Sequence, residues 1–191
     1  MRTILRATVW ASLWMIFTAR AVFAFEMTPT TQAEIDKHKT LIAGWVADPV
    51  IVSAVKDQNG KGPIAAMDNP KWKNTRRSDA IVKAFQDNPA GKMLKAKLEA
   101  SGGMYTEAFL SAAQGEKVAF VEKTTSYIHV GQPKFDVPLT TGKSWQGKPE
   151  FDESAQTYQL QISVPVLADG KAIGALVVGV SLTQLEKAGK K

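Results

Sequence analysis

The chain has no cysteine and only two histidines among its 191 residues. The first absence excludes disulfide scaffolds, zinc ribbons, thiol nucleophiles, thiolate-held iron–sulfur clusters and CxxCH haem attachment. The second leaves little for a metal to hold. His38 stands between Lys37 and Lys39 on a helical stretch, where a solvated ring is expected, and His129 lies far away in an irregular segment. One histidine alone is not a metal site, so neither metal nor cofactor is expected. Catalytic constellations are missing as well. There is no GxSxG elbow and no Ser/His/acid arrangement at recognisable spacing. Gly174 and Gly179 sit in a strand-like run with no Lys-Ser/Thr after them, so they form no phosphate cradle. The adjacent acids Asp152 and Glu153 would point to opposite faces of a strand. Nothing positive supports an enzyme.

Charge of one sign is also scarce. The sequence carries 24 Lys+Arg and 18 Asp+Glu, a formal net charge of +6. Three of the basic residues, Arg2, Arg6 and Arg20, lie in the first 24 positions, so the remainder is close to balanced. No dense basic block with interleaved aromatics is present, and a nucleic-acid partner is not expected. At 45% apolar and 22% charged, the composition is that of a globular protein.

Residues 1–24 read as a leader. Arg2 and Arg6 give a positive start, Ala7–Ala19 is free of charge, and Val22-Phe23-Ala24 places small residues where a signal peptidase cuts. That apolar run falls short of the ~20 residues a membrane-spanning helix needs. A cleavable signal peptide is expected, with residues 25–191 as one exported domain. Arg20 falls late for a signal peptide, and an uncleaved anchor is the alternative. Past the leader no apolar run reaches spanning length, so no transmembrane segment should remain. The absence of disulfides in an exported domain of this size points to the periplasm.

The N-terminal half has helical signals. Thr30 or Thr31 can cap a helix carrying Ile35, Leu41, Ile42, Trp45, Val46, Ile51, Val52 and Val55 in a run of three- and four-residue spacings. Pro49 predicts a kink or break near Asp48. A loop-like stretch with Pro63, Pro70 and Trp72 precedes a short helix over about 78–86. Asn88 and Pro89 then start a clear helix that Gly102-Gly103 ends.

The C-terminal half changes period. Met104–Ser111 and Val118–Glu122 form a hairpin about Gly115, and Thr157–Val166 and Ala172–Leu182 form a second about Asp169-Gly170. In Thr157–Val166, Tyr158, Leu160, Ile162, Val164 and Val166 face one way. Gln159, Gln161, Ser163 and Pro165 face the other, and Pro165 requires an edge or a bulge. Ala172–Leu182 is apolar on both faces, as a central strand should be. Residues 124–149 read as one long irregular connection containing Tyr127, His129, Lys134, Phe135 and Trp145. The fold class is α+β with an antiparallel sheet.

These features bring one candidate site together. The irregular segment can lie over the polar sheet face, with Tyr127, His129, Lys134, Phe135 and Trp145 above Gln159 and Gln161. A few polar groups walled by aromatics suit a small polar or anionic metabolite. An ordinary wet sheet face is the other reading.

At this point the residues resemble a known family. ISVPVLADGKAIGALVVGVSL (Ile162–Leu182) is similar to the signature hairpin of Cache domains, the PAS-like extracytoplasmic sensors also called PDC domains. Ser101–Phe135 resembles their first hairpin and ligand loop, and Asp87–Gly103 the helix before it. The resemblance implies a long N-terminal helix on one face of a five-stranded antiparallel sheet. It places a ligand on the other face, beneath the loop between the second and third strands. Ligands of such domains include amino acids, carboxylates, amines and purines. The loop here reads Thr124-Thr125-Ser126-Tyr127-Ile128, with Ser126 where many relatives carry an aspartate that pairs with a ligand ammonium. Lys134 suits a carboxylate better, and a lysine solvated in a wet loop is its plain alternative. Most Cache domains are outer parts of membrane receptors. This chain ends soon after its last strand, which implies a sensor domain without an output module that acts on a membrane receptor or kinase partner. A structural or interaction module of the same fold, binding no ligand, is the alternative.

Overall fold

Thr28 starts the first helix, because its hydroxyl accepts from the Thr31 N–H at 3.1 Å and Pro29 fills the first helical position. The helix therefore begins earlier than Thr30 or Thr31 would have started it. The computed structural model describes residues 25–153 and 156–189. The proposed leader and its cleavage site lie outside the described residues. Helix α1 (Pro29–Val46) ends where Pro49 demanded, and α2 (Pro49–Lys61) restarts with the Asp48 side chain capping Val50. The loop-like stretch contains a short helix, α3 (Asn69–Asn74), which the prolines conceal. Helix α4 (Ala80–Asp87) follows, and α5 (Pro89–Ala100) is capped by Asn88, whose carbonyl oxygen accepts from Gly91 at 2.8 Å.

Strands β1 (Tyr105–Ala112) and β2 (Lys117–Phe120) form the first hairpin. The long connection is more regular than its sequence indicates. It holds α6 (Pro133–Thr141), which Gly142 closes in a left-handed conformation, and two short strands, β3 (Trp145–Gln146) and β4 (Glu150–Asp152). Strands β5 (Thr157–Ala168) and β6 (Lys171–Ser181) form the second hairpin, and α7 (Leu182–Gly189) follows directly. The sheet runs β2-β1-β6-β5-β3 with antiparallel pairing, and β4 also pairs with β5. Six strands thus replace the five expected, because the outer edge of β5 is covered in two short pieces. Pro165 lies past the β3 pairing, on an uncovered stretch of that edge, next to a bulge at Val166/Leu167.

The alternation in β5 holds. Leu160, Ile162, Val164 and Val166 join Leu176, Val178 and Val180 of β6 in a core against Ile35, Ile42, Ile51 and Val55 of α1 and α2. A smaller core lies on the opposite face of the sheet, where Phe109, Phe120 and Val177 meet Trp72, Val82, Phe85 and Tyr127. Helices α3 and α4 with the loop after β2 therefore cover the β1–β2 end of that face, and α6 packs over β5 and β6. Among the described residues no helix is long and apolar enough to cross a membrane.

Candidate functional site

Between these two coverings a gap remains on the polar sheet face. A cavity of about 270 Å³ is lined by Glu107 and Phe109 of β1, Lys123–Ser126, His129 and Gln132 of the loop, Lys134 of α6, and Gln161 of β5. The β-strand period places Glu107, Phe109 and Gln161 on this face while their neighbours Ala108, Leu110, Leu160 and Ile162 fill the main core. Gln161 is the hinge of its polar network. Its amide nitrogen donates to Glu107 Oε1 at 2.6 Å, and its oxygen accepts from Lys134 Nζ at 3.1 Å.

The candidate residues read from the sequence separate into three groups. His129, Lys134 and Gln161 line the cavity together. Gln159 and Trp145 line a neighbouring pocket at the β3–β5 edge, also of about 270 Å³, which shares Gln161. There Gln159 accepts from Thr106 Oγ1 and donates to Asp152 Oδ2 at 3.0 Å. Tyr127 and Phe135 are buried and line neither space. The Tyr127 ring packs at 5.6 Å from Trp72, and its hydroxyl accepts from the Ile64 N–H at 2.9 Å. The loop is thus anchored by Tyr127 and open around Lys134.

His38 departs from its expected solvation. Its Nδ1 is 2.9 Å from the Tyr105 hydroxyl, and the two rings meet edge to face. Burial, chiefly, holds its pKa below the usual imidazole value.

Sequence reading missed Lys117. It belongs to β2 rather than to the turn, opposite Ser111, and it is wholly buried. Its Nζ lies 3.2 Å from the centroid of the Phe109 ring and 3.4 Å from His129 Nε2. No carboxylate is within ion-pair distance of it among the described residues. Desolvation, and then the nearby Lys134 charge, pull its pKa well below the usual lysine range, while Glu107 opposes this. The one available signal was its setting, a lysine leading directly into the apolar run Val118-Ala119-Phe120. Glu107 was missed for the same reason, as a single charge within a strand.

His129 is also held neutral. Burial first, then Lys117 and Lys134, lower its pKa to about 2, against the Gly115 and Tyr127 carbonyls. Its Nδ1 makes no hydrogen bond among the described residues, and neither do the buried hydroxyls of Ser111 and Ser163. Lys134 is lowered by desolvation, with Glu107 and Glu150 supporting its charge. The cavity therefore offers Lys123 and Lys134 as basic groups, Glu107 as the only lining carboxylate, and the edge of a neutral His129 ring. Among the described residues no cluster of three or more metal-ligating side chains occurs.

Two larger grooves, of about 480 and 470 Å³, lie between α2 and α5 and between α1 and β5. Neither contains a buried charged side chain. In the smaller cavity charged and polar side chains from four separate segments converge, which makes it the candidate site.

No family model and no curated protein matches the sequence. Solved structures do. The sensor domain of Escherichia coli DcuS aligns with a TM-score of 0.51 and 11% identity, over 85% of this chain and 98% of that one. The sensor domain of the Vibrio cholerae histidine kinase DctB aligns at 0.42 with 16% identity, over 82% and 59% of the two chains. The sensory domain of the Campylobacter jejuni chemoreceptor Tlp3 with isoleucine bound aligns at 0.43 with 16% identity, over 85% and 67%. This chain thus spans about three-fifths to two-thirds of the DctB and Tlp3 domains. The DcuS match identifies the fold as that of Cache (PDC) sensor domains, an antiparallel sheet with helices packed on it.

Proposed function

We propose that this chain is a periplasmic sensor domain that binds a small polar or anionic metabolite on the free face of its sheet and presents the bound state to a membrane receptor or kinase. One observation carries this reading. Lys134, Gln161, Glu107 and His129 come from four separate segments and converge on a single cavity in a fold used by sensor domains. Glu107, Gln161 and Lys134 are hydrogen-bonded to one another beside open space, so the network is both pre-organised and accessible to a polar ligand. The Arg2/Arg6 leader and the absence of cysteine support export to a compartment where the domain needs no disulfide. Ligand contacts on Lys134 and α6 give the binding event a mechanical outlet, because α6 rests on the same two strands that lead into α7. Gln159 and Trp145 extend the site toward the sheet edge for a longer ligand.

A thermal-shift screen of the purified protein against carboxylates, amino acids, purines and amines tests the proposal. A ligand at a hundred times its Kd stabilises by about 2.7 kcal/mol, which raises the melting temperature of a domain this size by several degrees. Lys134→Met should abolish the shift for anionic ligands. A library without a single hit would leave only a structural or interaction role for the fold.

A further inference from the structure

We infer that the ligand of this pocket is a small carboxylate and that it binds together with one proton, which the Lys117–His129 pair holds. This inference rests on the pocket reading above and adds the ligand class and its coupling to pH.

The geometry is that of a charge store left empty. Lys117 is fully buried behind the cavity wall, with its Nζ 3.2 Å from the Phe109 ring centroid and 3.4 Å from His129 Nε2. The groups facing it are His129 from the loop, Lys134 from α6 and Glu107 from β1. Its closest polar partner is a neutral ring, and Glu107 is already occupied by Gln161. An aromatic face attracts a cation but does not replace its lost hydration. In the free pocket the amine is therefore poised to give up its proton.

An anion changes this balance. The His129 ring lines the cavity, and Lys117 sits against its Nε2. A carboxylate touching that ring comes within roughly 6 Å of the amine, and at an effective dielectric near 20 it favours the charged form by on the order of a hundredfold. An ammonium only donates, so with Lys117 charged the His129 proton sits on Nδ1. That nitrogen is buried, with the Gly115 and Tyr127 carbonyls acting on the ring, so the neutral imidazole keeps its proton there while Nε2 faces the ammonium. Lys134, which also lines the cavity, supplies the second contact. The complex thus carries one more proton than its separate parts. Affinity rises as pH falls between the pKa of the amine in the free pocket and its value in the complex, by up to about tenfold per pH unit.

Calorimetric titration of the whole protein with acetate, pyruvate, succinate and citrate, each in two buffers of different ionisation heat at neutral pH, tests the inference. The expected result is binding of at least one carboxylate with uptake of about 0.5–1 proton per anion. Lys117→Met, which keeps an apolar stem against Phe109, should bind the anion up to about tenfold more weakly at neutral pH and lose the uptake. Heats independent of the buffer in the unsubstituted protein overturn the inference, as does uptake that persists in Lys117→Met. Failure of every carboxylate at millimolar concentration also overturns it. If a neutral or cationic metabolite then binds the same cavity, the pocket reading survives without this one. If no metabolite binds, both fall.

Discussion

Gln161 Nε2 lies 2.6 Å from Glu107 Oε1, while the amide oxygen of the same side chain accepts from Lys134 at 3.1 Å. A neutral amide therefore keeps the two opposite charges of the cavity apart and orients both. Without it, Lys134 and Glu107 would be free to pair directly and close the space that a ligand needs. Gln161→Leu should reduce ligand affinity at least tenfold and lower stability by only about 1 kcal/mol, the worth of a half-buried hydrogen-bond pair. Titration calorimetry together with urea denaturation separates the two effects. Unchanged affinity would show that the amide does not hold the site.

Gly179 sits in β6 between Glu107 of β1 and Gln161 of β5. A Cβ there would overlap Thr106 Oγ1 and come within 2.8 Å of Glu107 Cγ. Gly179→Ala should therefore cost about 1–3 kcal/mol in stability and displace the acid that anchors Gln161. Gly44, exposed in α1 with nothing within 4 Å of an added Cβ, is the control. Gly44→Ala should stabilise by about 0.5–1 kcal/mol, because an exposed helical glycine loses more entropy on folding than alanine. Equal urea midpoints for the two variants would contradict the proposed close packing at Gly179.

The sequence made the frame legible and left its contents obscure, for a physical reason. Period-2 alternation in Thr157–Val166 and the cap pair Asn88-Pro89 act within a few residues, so both could be read from the sequence. The same holds for the break at Pro49. Helix α6 was concealed because Pro138 lies inside it and threonines occupy its end, although Pro133 and Gly142 mark its limits. Within the site, Lys134 and Gln161 were readable as polar groups on the expected face. Lys117 and Glu107 were not, since a single charge in a strand carries no periodic signal and acquires its meaning only from burial. Tyr127 misled in the opposite direction. An aromatic in a ligand loop suggests contact with the ligand, yet Trp72 and Phe85 from another stretch of chain enclose it.

His129 gives the protein a pH dependence of known sign. Its folded-state pKa is lowered from 6.5 to about 2, first by burial and then by Lys117 and Lys134. Between those two values the unfolded chain binds a proton that the folded chain refuses. Stability is therefore greatest above the unfolded pKa and falls as the solution is acidified. At 1.36 kcal/mol per pH unit, the stretch from neutrality to about pH 4.5 should cost about 2–3 kcal/mol. His129→Gln, which has no titrating group, should show a correspondingly shallower loss. Parallel urea midpoints for the two proteins across this range would place the imidazole in contact with water.

Tyr127→Phe separates the anchor of the loop from its binding surface. The ring is fully buried against Trp72 at 5.6 Å and Phe85 at 6.2 Å, and phenylalanine preserves those contacts. What is lost is the bond from the Ile64 N–H to the tyrosine hydroxyl, 2.9 Å long, which ties the loop after β2 to the segment after α2. Ile64 is exposed enough for water to take over part of that bond, so the loss should be about 1 kcal/mol. Because the hydroxyl lies outside the cavity wall, ligand affinity should change less than about twofold. The measurement pairs calorimetric titration with thermal unfolding. A tenfold fall in affinity at unchanged stability would move the hydroxyl into the binding surface and reassign the loop's anchor to Trp72, whose Nε1 donates to the Thr124 carbonyl at 2.8 Å.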